Sequence, residues 1–163
     1  REAVALLAWA IDQLGDACAI AGFHSNTRHE VRYHHIKGFS EAWDDSVKAR
    51  LAAVEAGWST RMGAAMRHAG RLLTARRTEK RILLVLTDGE PADLDVSDPH
   101  YLIADTKKAV EELSTAGIST FCLSLDPKAD AYVGDIFGRN WRVLDRLERL
   151  PEQLPMVYLK LTR

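Results

Sequence analysis

An aspartate at the end of an apolar segment is the first candidate for ligand chemistry in this chain. Residues 81–91 read RILLVLTDGEP, so a run of apolar residues leads directly into Thr87 and Asp88. In an open α/β sheet, ligands bind beyond the carboxyl ends of the strands. If residues 81–86 form a strand, the Asp88 carboxylate lies at such a position.

Thr60 is the second candidate, in the segment GWSTRMG just before a predicted helix. Its hydroxyl would lie near the free N–H groups of a helix start. A hydroxyl and a carboxylate are hard ligands and suit Mg²⁺, which takes about six oxygens; Mn²⁺ and Ca²⁺ are the alternatives. Three neighbouring residues could support these ligands or face a partner: Ser59, Gly89 and Glu90.

Both candidates also have a purely structural interpretation. Asp-Gly after a strand is a common turn pair, and Ser59 or Thr60 could simply cap a helix. An enzymatic alternative is a Mg²⁺-dependent α/β hydrolase or phosphotransferase that uses Asp88. That alternative needs a second carboxylate or a glycine-rich phosphate loop, and neither is evident in the sequence; no nucleophile–base pair stands beside Asp88.

The elements that must position these residues alternate between strands and helices. Apolar runs predict strands at 17–23, 31–36, 81–86, 119–125 and 141–145, with 31–36 at a sheet edge. Helical periodicity predicts helices at 3–14, from 46 to about 56, through 62–73, from 99 to about 116, and from 151 to the end. This order predicts an α/β fold with a mostly parallel sheet, and the segment 81–86 lacks polar alternation, so we expect it to be buried on both faces.

Several other polar and aromatic residues receive less specific interpretations. Glu90 and Asp93 are expected to be solvated loop carboxylates, with contact to the site or a partner as the alternative. His24, at a predicted strand end, is expected to be a polar loop residue, with a ligand role as the alternative, and HExxxH at 29–34 has the wrong spacing for zinc. Trp43 and Trp58 are expected in the core, although Trp58 could line a partner site. A solvated helix face, with a docking patch as the alternative, is expected for Arg61, Arg67, Arg71, Arg76 and Arg77.

Length and composition indicate one ordinary domain. The chain has 163 residues, of which 47% are hydrophobic, and a formal net charge of −1. Such a charge does not favour nucleic acid or an anionic membrane as partner, and no apolar run is long enough to span a bilayer. Cys18 and Cys122 lie in apolar runs, so we expect free buried thiols and a cytoplasmic protein.

Several stretches together resemble the von Willebrand factor A (VWA) domain of the CbbO and NorD type. They are GFHSN, STRMGAAMRHAGRLL, LTDGEPADLD, DTKKAVEEL, IFGRNWRVLD and RLPEQLP. The resemblance covers residues 1–163 as one domain. It implies a Rossmann-like three-layer fold with a mostly parallel sheet, one antiparallel edge strand and helices on both faces.

The resemblance also implies a metal-ion-dependent adhesion site. The family builds it from DxSxS on the first strand, a threonine that Thr60 matches and an aspartate that Asp88 matches. DxSxS does not occur in these 163 residues, so the strand that carries it is expected upstream of Arg1 or is missing. That strand would lie between the predicted strands at 17–23 and 81–86, which we therefore expect not to pair with each other.

By the same resemblance, the domain is a non-enzymatic adaptor of a bacterial MoxR-type AAA+ ATPase hexamer. Its bound metal would take an exposed acidic residue of a client enzyme. The sequence favours the CbbO kind, whose client is Rubisco and which removes inhibitory sugar phosphates, in the cytoplasm and in some cases with the carboxysome. The NorD kind, whose client is nitric oxide reductase, is the alternative.

Overall fold

Helices and strands follow one another along the chain in the order that the sequence predicts, with one additional short helix, Val133–Phe137, before the last strand. The computed structural model describes residues 1–163, apart from the side chain of Leu147. The elements are α1 (Glu2–Gln13), β1 (Ile20–Ser25), β2 (Val31–Lys37), α2 (Asp45–Ala52), α3 (Met62–Thr74), β3 (Arg81–Thr87), α4 (Pro99–Thr115), β4 (Ile118–Ser124), α5 (Val133–Phe137), β5 (Trp141–Val143) and α6 (Leu150–Thr162). Short 3-10 turns cover Ala129–Ala131 and Leu147–Arg149.

The strands form two sheets. β3, β4 and β5 pair in parallel in that order, whereas β1 and β2 form a separate antiparallel hairpin. β1 and β3 do not pair with each other, as the sequence analysis predicted. The parallel strands and the antiparallel strand of the predicted fold are therefore both present, but no strand of the described residues joins the two sheets.

Helices cover both faces of the parallel sheet, which confirms the three-layer α/β fold. Cys122 of β4 packs with residues of α3, α4 and α5 on one face. Phe121 and Leu123, its neighbours in β4, point to the other face and pack against α1 and α6. The alternation of side chains along a strand explains how adjacent residues of β4 enter two different cores.

β3 is less buried than the sequence analysis expected. Only Val85 of this strand is buried, and its other residues are partly exposed. β3 is the outer strand of the three-stranded sheet, so its apolar side chains are covered by fewer neighbours than those of the central β4. The expectation that residues 81–86 are buried on both faces was wrong in this respect.

Two further local expectations were corrected. Cys122 is a buried free thiol as expected, but Cys18 precedes β1 and is only partly buried. Burial raises the pKa of Cys122 to about 12, so this thiol stays protonated. His24 lies within β1 rather than in a loop, and its ring stacks on that of His34 with the centroids 5.0 Å apart.

Among the described residues, no helix is long and apolar enough to cross a bilayer.

Gly138 makes the sharp connection between α5 and β5. Its φ of 64° and ψ of −105° lie in a region that side chains with a Cβ rarely adopt. The Trp141 indole N–H donates to the Gly138 carbonyl oxygen at 2.9 Å. The backbone therefore turns here because glycine permits it, and the turn delivers Trp141 into the parallel sheet.

We expect Gly138→Ala to lower the free energy of unfolding by about 1–3 kcal/mol, the usual cost of such backbone strain. Gly89→Ala is the matched control, because an added Cβ there would meet nothing within 4 Å. The control should be neutral or stabilising by up to about 1 kcal/mol. Chemical denaturation of both variants measures the difference, and equal stabilities would contradict the strained turn.

Candidate functional site

The Thr60 segment is bonded to the loop that follows β3. The Thr60 N–H donates to the Ala92 carbonyl oxygen at 2.8 Å, and the Ala92 N–H donates to the Thr60 carbonyl oxygen at 3.2 Å. Ala92 follows Asp88 by only a few residues at the carboxyl end of β3. The two predicted site residues thus lie on loops that are tied together, whereas their convergence on one ion stays a prediction.

The interpretation of Ser59 and Thr60 as helix caps was wrong. Helix α3 begins at Met62, the N-cap position is Arg61, and Arg61 makes no capping side-chain bond. The Arg61 N–H instead donates to the Ser25 hydroxyl oxygen at 3.2 Å. The helix start is therefore supported from β1, and neither Ser59 nor Thr60 occupies the capping position.

The turn after β3 is held by Thr87. Its hydroxyl donates to the Gly89 carbonyl oxygen at 2.9 Å and accepts from the Gly89 N–H at 3.3 Å. The Asp88 side chain is exposed beside this turn. Because Thr87 makes the turn's side-chain bonds, the Asp88 carboxylate is not needed to close it and can meet a ligand.

Asp88 also lines a cleft of about 370 Å³ at the carboxyl ends of β3 and β4. Glu90, Asp126 and Lys128 line the same cleft. Both Asp126 oxygens are engaged: the Tyr132 hydroxyl and the Lys128 N–H each donate to one of them at 2.9 Å. The sequence analysis missed Asp126, although it too follows an apolar strand directly.

Tyr132 stays a hydrogen-bond donor at the floor of this cleft. Burial and the adjacent Asp126 carboxylate both raise the pKa of Tyr132. The hydrogen bond from Tyr132 to Asp126 therefore persists at neutral pH, since the phenol remains protonated. Asp88 and Glu90, which are exposed, remain the carboxylates of the cleft most accessible to a ligand.

The Asp93 carboxylate is the most heavily bonded group beside the site. Its side chain is 0% exposed. One oxygen accepts from the Thr27 N–H at 2.8 Å and the Leu94 N–H at 2.7 Å. The other accepts from the Ser25 hydroxyl at 2.8 Å and from Nε of Arg61 at 2.7 Å. The expectation of a solvated Asp93 was therefore wrong.

These bonds keep Asp93 ionised despite its burial. Burial alone would raise the pKa of Asp93, but the bonds from Ser25, from the backbone N–H groups of Thr27 and Leu94, and from Arg61 outweigh it and lower the pKa. For Arg61 the signs are reversed: burial alone would lower its pKa, but the Asp95 and Asp93 carboxylates outweigh this effect and raise it. The pair is thus charged on both sides across the ordinary pH range.

The arginines of α3 and its flanks do not form one solvated face. Arg61 is 12% exposed in its side chain and bonds both Asp93 and Asp95. Arg67 is 31% exposed and joins α3 to α4 through Asp105 at 2.9 Å and Glu112 at 2.6 Å. The expectation was wrong for these two residues, whereas Arg71, Arg76 and Arg77 are exposed as expected.

Two large apolar side chains project from the paired loops. Trp58 is 84% exposed and Leu94 is 70% exposed. Trp58 precedes Thr60 by two residues and Leu94 follows Ala92 by two, so the antiparallel pairing of Thr60 with Ala92 aligns them. The expectation that Trp58 packs in the core was wrong, and Trp43 is only partly buried.

The types of donor at this edge suit Mg²⁺, but Thr60 and Asp88 alone would supply only two of its ligands. A threonine hydroxyl and an exposed aspartate are oxygen ligands of the kind that Mg²⁺ prefers. Among the residues that the structure describes, no group of three or more His, Cys, Asp or Glu side chains is arranged to hold a metal ion. Thr60 and Asp88 would therefore need further ligands from water, a partner or another segment.

Relatives of this chain share most of its length. It is 38% identical over 159 residues to Protein NorD of Brucella melitensis, and 38% identical over 130 residues to Protein NorD of Stutzerimonas stutzeri. An uncharacterized protein of Pseudomonas aeruginosa, PA0525, is 37% identical over 163 residues. The alignments cover 97%, 80% and 99% of this chain, but only 25%, 21% and 27% of those proteins. The chain thus spans about a quarter of their length.

A solved structure and a family model agree on the fold. The von Willebrand factor type A structure from Catenulispora acidiphila superposes with a TM-score of 0.64 at 18% identity, covering 96% of this chain and 37% of that one. The family model for the von Willebrand factor type A domain matches residues 3–140. The chain therefore belongs to the von Willebrand factor type A domain family.

Proposed function

We propose that this domain is a metal-dependent protein-binding adaptor of the NorD type, which binds a client protein for a MoxR-type AAA+ ATPase. Membership of the von Willebrand factor type A family supports a binding role, and the names of two relatives above support the NorD type. The client implied by the NorD type is nitric oxide reductase. The Rubisco client that the sequence analysis favoured finds no support in these relatives.

The observation that carries this proposal is the arrangement of Asp88. Its carboxylate is exposed at the carboxyl end of β3, beside a loop that is bonded to the Thr60 segment. In the proposal, Thr60 and Asp88 hold Mg²⁺, with Mn²⁺ or Ca²⁺ as substitutes. With one carboxylate among neutral ligands, the ion would retain positive charge and attract an acidic side chain of the client.

Ser59, Gly89 and Glu90 take supporting places in this proposal. Ser59 accepts a backbone bond from Ser25 at 2.8 Å and so fixes the approach of the Thr60 segment. An added Cβ at Gly89 would meet nothing within 4 Å, so the space beside the turn is open to a partner. Glu90 is exposed in the cleft, where it would face the client.

We also propose that the DxSxS strand implied by the resemblance completes the metal site. Its place would be beside β3, which has a paired neighbour on one side only. A longer natural chain that contains DxSxS should bind Mn²⁺ at least about tenfold more tightly than residues 1–163, because more oxygens surround the ion. Titration by electron paramagnetic resonance compares the two, and equal affinities would count against the added ligands.

Asp88→Ala should abolish client activation while leaving the fold intact. Loss of the carboxylate releases the ion, and the client's acidic side chain then meets a neutral loop. Breaking one partner of a desolvated charge pair costs roughly 2–5 kcal/mol, which is about 30- to several-thousand-fold in affinity. Thr60→Ala should have a smaller effect, since water can partly replace a neutral ligand.

The assay for these variants is reductase activation by the reconstituted complex, with a thermal melt beside it. Asp45→Ala is the control, because Asp45 is a fully exposed carboxylate on α2 that pairs with the exposed Lys48. The control should activate normally. Full activation by a folded Asp88→Ala protein would show that the TDGEP segment is only a turn.

Trp58→Ala should weaken client binding about 30-fold or more, the effect typical of a buried aromatic at an interface centre. The reason is that the exposed apolar surface of Trp58, two residues before Thr60, is removed from water only when a partner covers it. Trp9→Ala on α1 is the matched control, since Trp9 is 50% exposed outside these loops. Surface plasmon resonance with the purified client measures both, and identical affinities would remove Trp58 from the interface.

A further inference from the structure

We propose that Arg61 and Asp93 are positioning residues that fix how Thr60 lies relative to the loop bearing Asp88. Neither side chain is assigned to the metal or to the client. The inference rests on the proposed function, because it explains what holds the two ligands of that site in place. It adds Arg61, for which the sequence analysis expected a solvated helix face, and gives Asp93 a defined role beside the site.

The ion pair crosses the backbone pairing of the two segments diagonally, because the pairing is antiparallel and Arg61 and Asp93 lie on opposite sides of the Thr60–Ala92 bridge. Thr60 and Ala92 exchange two backbone hydrogen bonds, and the next residue on each segment, Arg61 and Asp93, joins through Nε and Oδ2 at 2.7 Å. Thr60–Ala92 is an isolated bridge with no ladder beside it. The side-chain pair therefore supplies the second attachment that a single bridge lacks, and it prevents the segments from pivoting.

Ser25 at the end of β1 supports the same pair from behind. It is fully buried, its hydroxyl donates to Asp93 at 2.8 Å, and it accepts from the Arg61 N–H at 3.2 Å. Its own N–H donates to the Ser59 carbonyl oxygen at 2.8 Å. The Thr60 segment is thus held on one side by β1 and on the other by the Asp93 loop.

The fork of Arg61 suits this task better than a lysine would. Nε bonds Asp93, and a terminal nitrogen of the same guanidinium bonds Asp95 two residues on. One planar group therefore fixes two positions of the Asp93 loop at once, whereas an ammonium is a point charge without that geometry. Arg61→Lys should keep the charge and lose part of the alignment.

The test removes both charges together, as Arg61→Gln with Asp93→Asn, so that no unpaired charge stays buried. The matched control is Arg67→Gln with Asp105→Asn, which removes a 2.9 Å pair between α3 and α4. Both proteins are made in the natural full-length chain. Three quantities are measured: the melting temperature, amide exchange by mass spectrometry, and Mn²⁺ affinity, counted as the binding that Asp88→Ala abolishes.

Peptides containing Thr60 and Ala92 should exchange at least about tenfold faster in the Arg61/Asp93 double variant, while β4 peptides keep their protection because the core is unaltered. Mn²⁺ affinity should fall at least about tenfold, since a displaced ligand no longer fits the ion. For Arg61→Lys, both the amide exchange and the Mn²⁺ affinity should lie between those of this variant and those of the wild type. The Arg67/Asp105 control should change neither the exchange of these peptides nor the Mn²⁺ affinity.

The outcomes separate this inference from the proposed function. If the wild type binds no Mn²⁺ through Asp88, the metal site fails, and the amide exchange still decides whether the pair aligns the two segments. If a folded Arg61/Asp93 double variant keeps the wild-type exchange at Thr60 and Ala92, the positioning role is overturned. Unchanged Mn²⁺ affinity with faster exchange also overturns it, because the alignment would then not matter to the ligands.

Discussion

The burial of one carboxylate, Asp93, constrains the whole edge of the molecule where ligands would bind. A buried charge is tolerated only when hydrogen bonds and an opposite charge surround it. Asp93 obtains these from Ser25 and Thr27 near the end of β1, from Leu94 in its own loop and from Arg61 before α3. Three segments must therefore meet around it before the chain can exclude water from this carboxylate.

This constraint matters more because the sheets are not joined by strand pairing. β1 and β2 form one sheet, and β3, β4 and β5 form another. Backbone ladders, which usually hold neighbouring strands in register, do not connect β1 to β3. At the carboxyl edge their place is taken by the Ser25–Ser59 and Thr60–Ala92 bridges and by the side-chain bonds to Asp93. The alignment of the edge thus depends on polar contacts of high geometric specificity.

Much of the fold could be predicted from sequence because it depends on local periodicity and on the rule that parallel strands share an edge. The apolar runs located β3 and β4, and helical periodicity located α4, which begins at Pro99 after the N-cap Asp98. The roles of Arg61, Asp93 and Trp58 could not be predicted in this way. Asp93 is bonded to residues that are 32 to 68 positions away in the sequence. A polar loop gives no local sign of whether such distant partners will bury its carboxylate. The exposure of Trp58 likewise depends on how its loop packs in three dimensions, which its neighbours in sequence do not reveal.

Asp88 and Asp93 show how one residue type takes opposite roles within a single loop. Asp93 is 0% exposed in its side chain, and its hydrogen-bonding capacity is used within the protein. Asp88 is exposed, and Thr87 makes the side-chain bonds of its turn. An aspartate that had to hold the loop together could not also exchange ligands freely, because each exchange would disturb the fold. Assigning the structural bonds to Asp93 and Thr87 leaves Asp88 free to bind and release a ligand while the loop around it stays fixed.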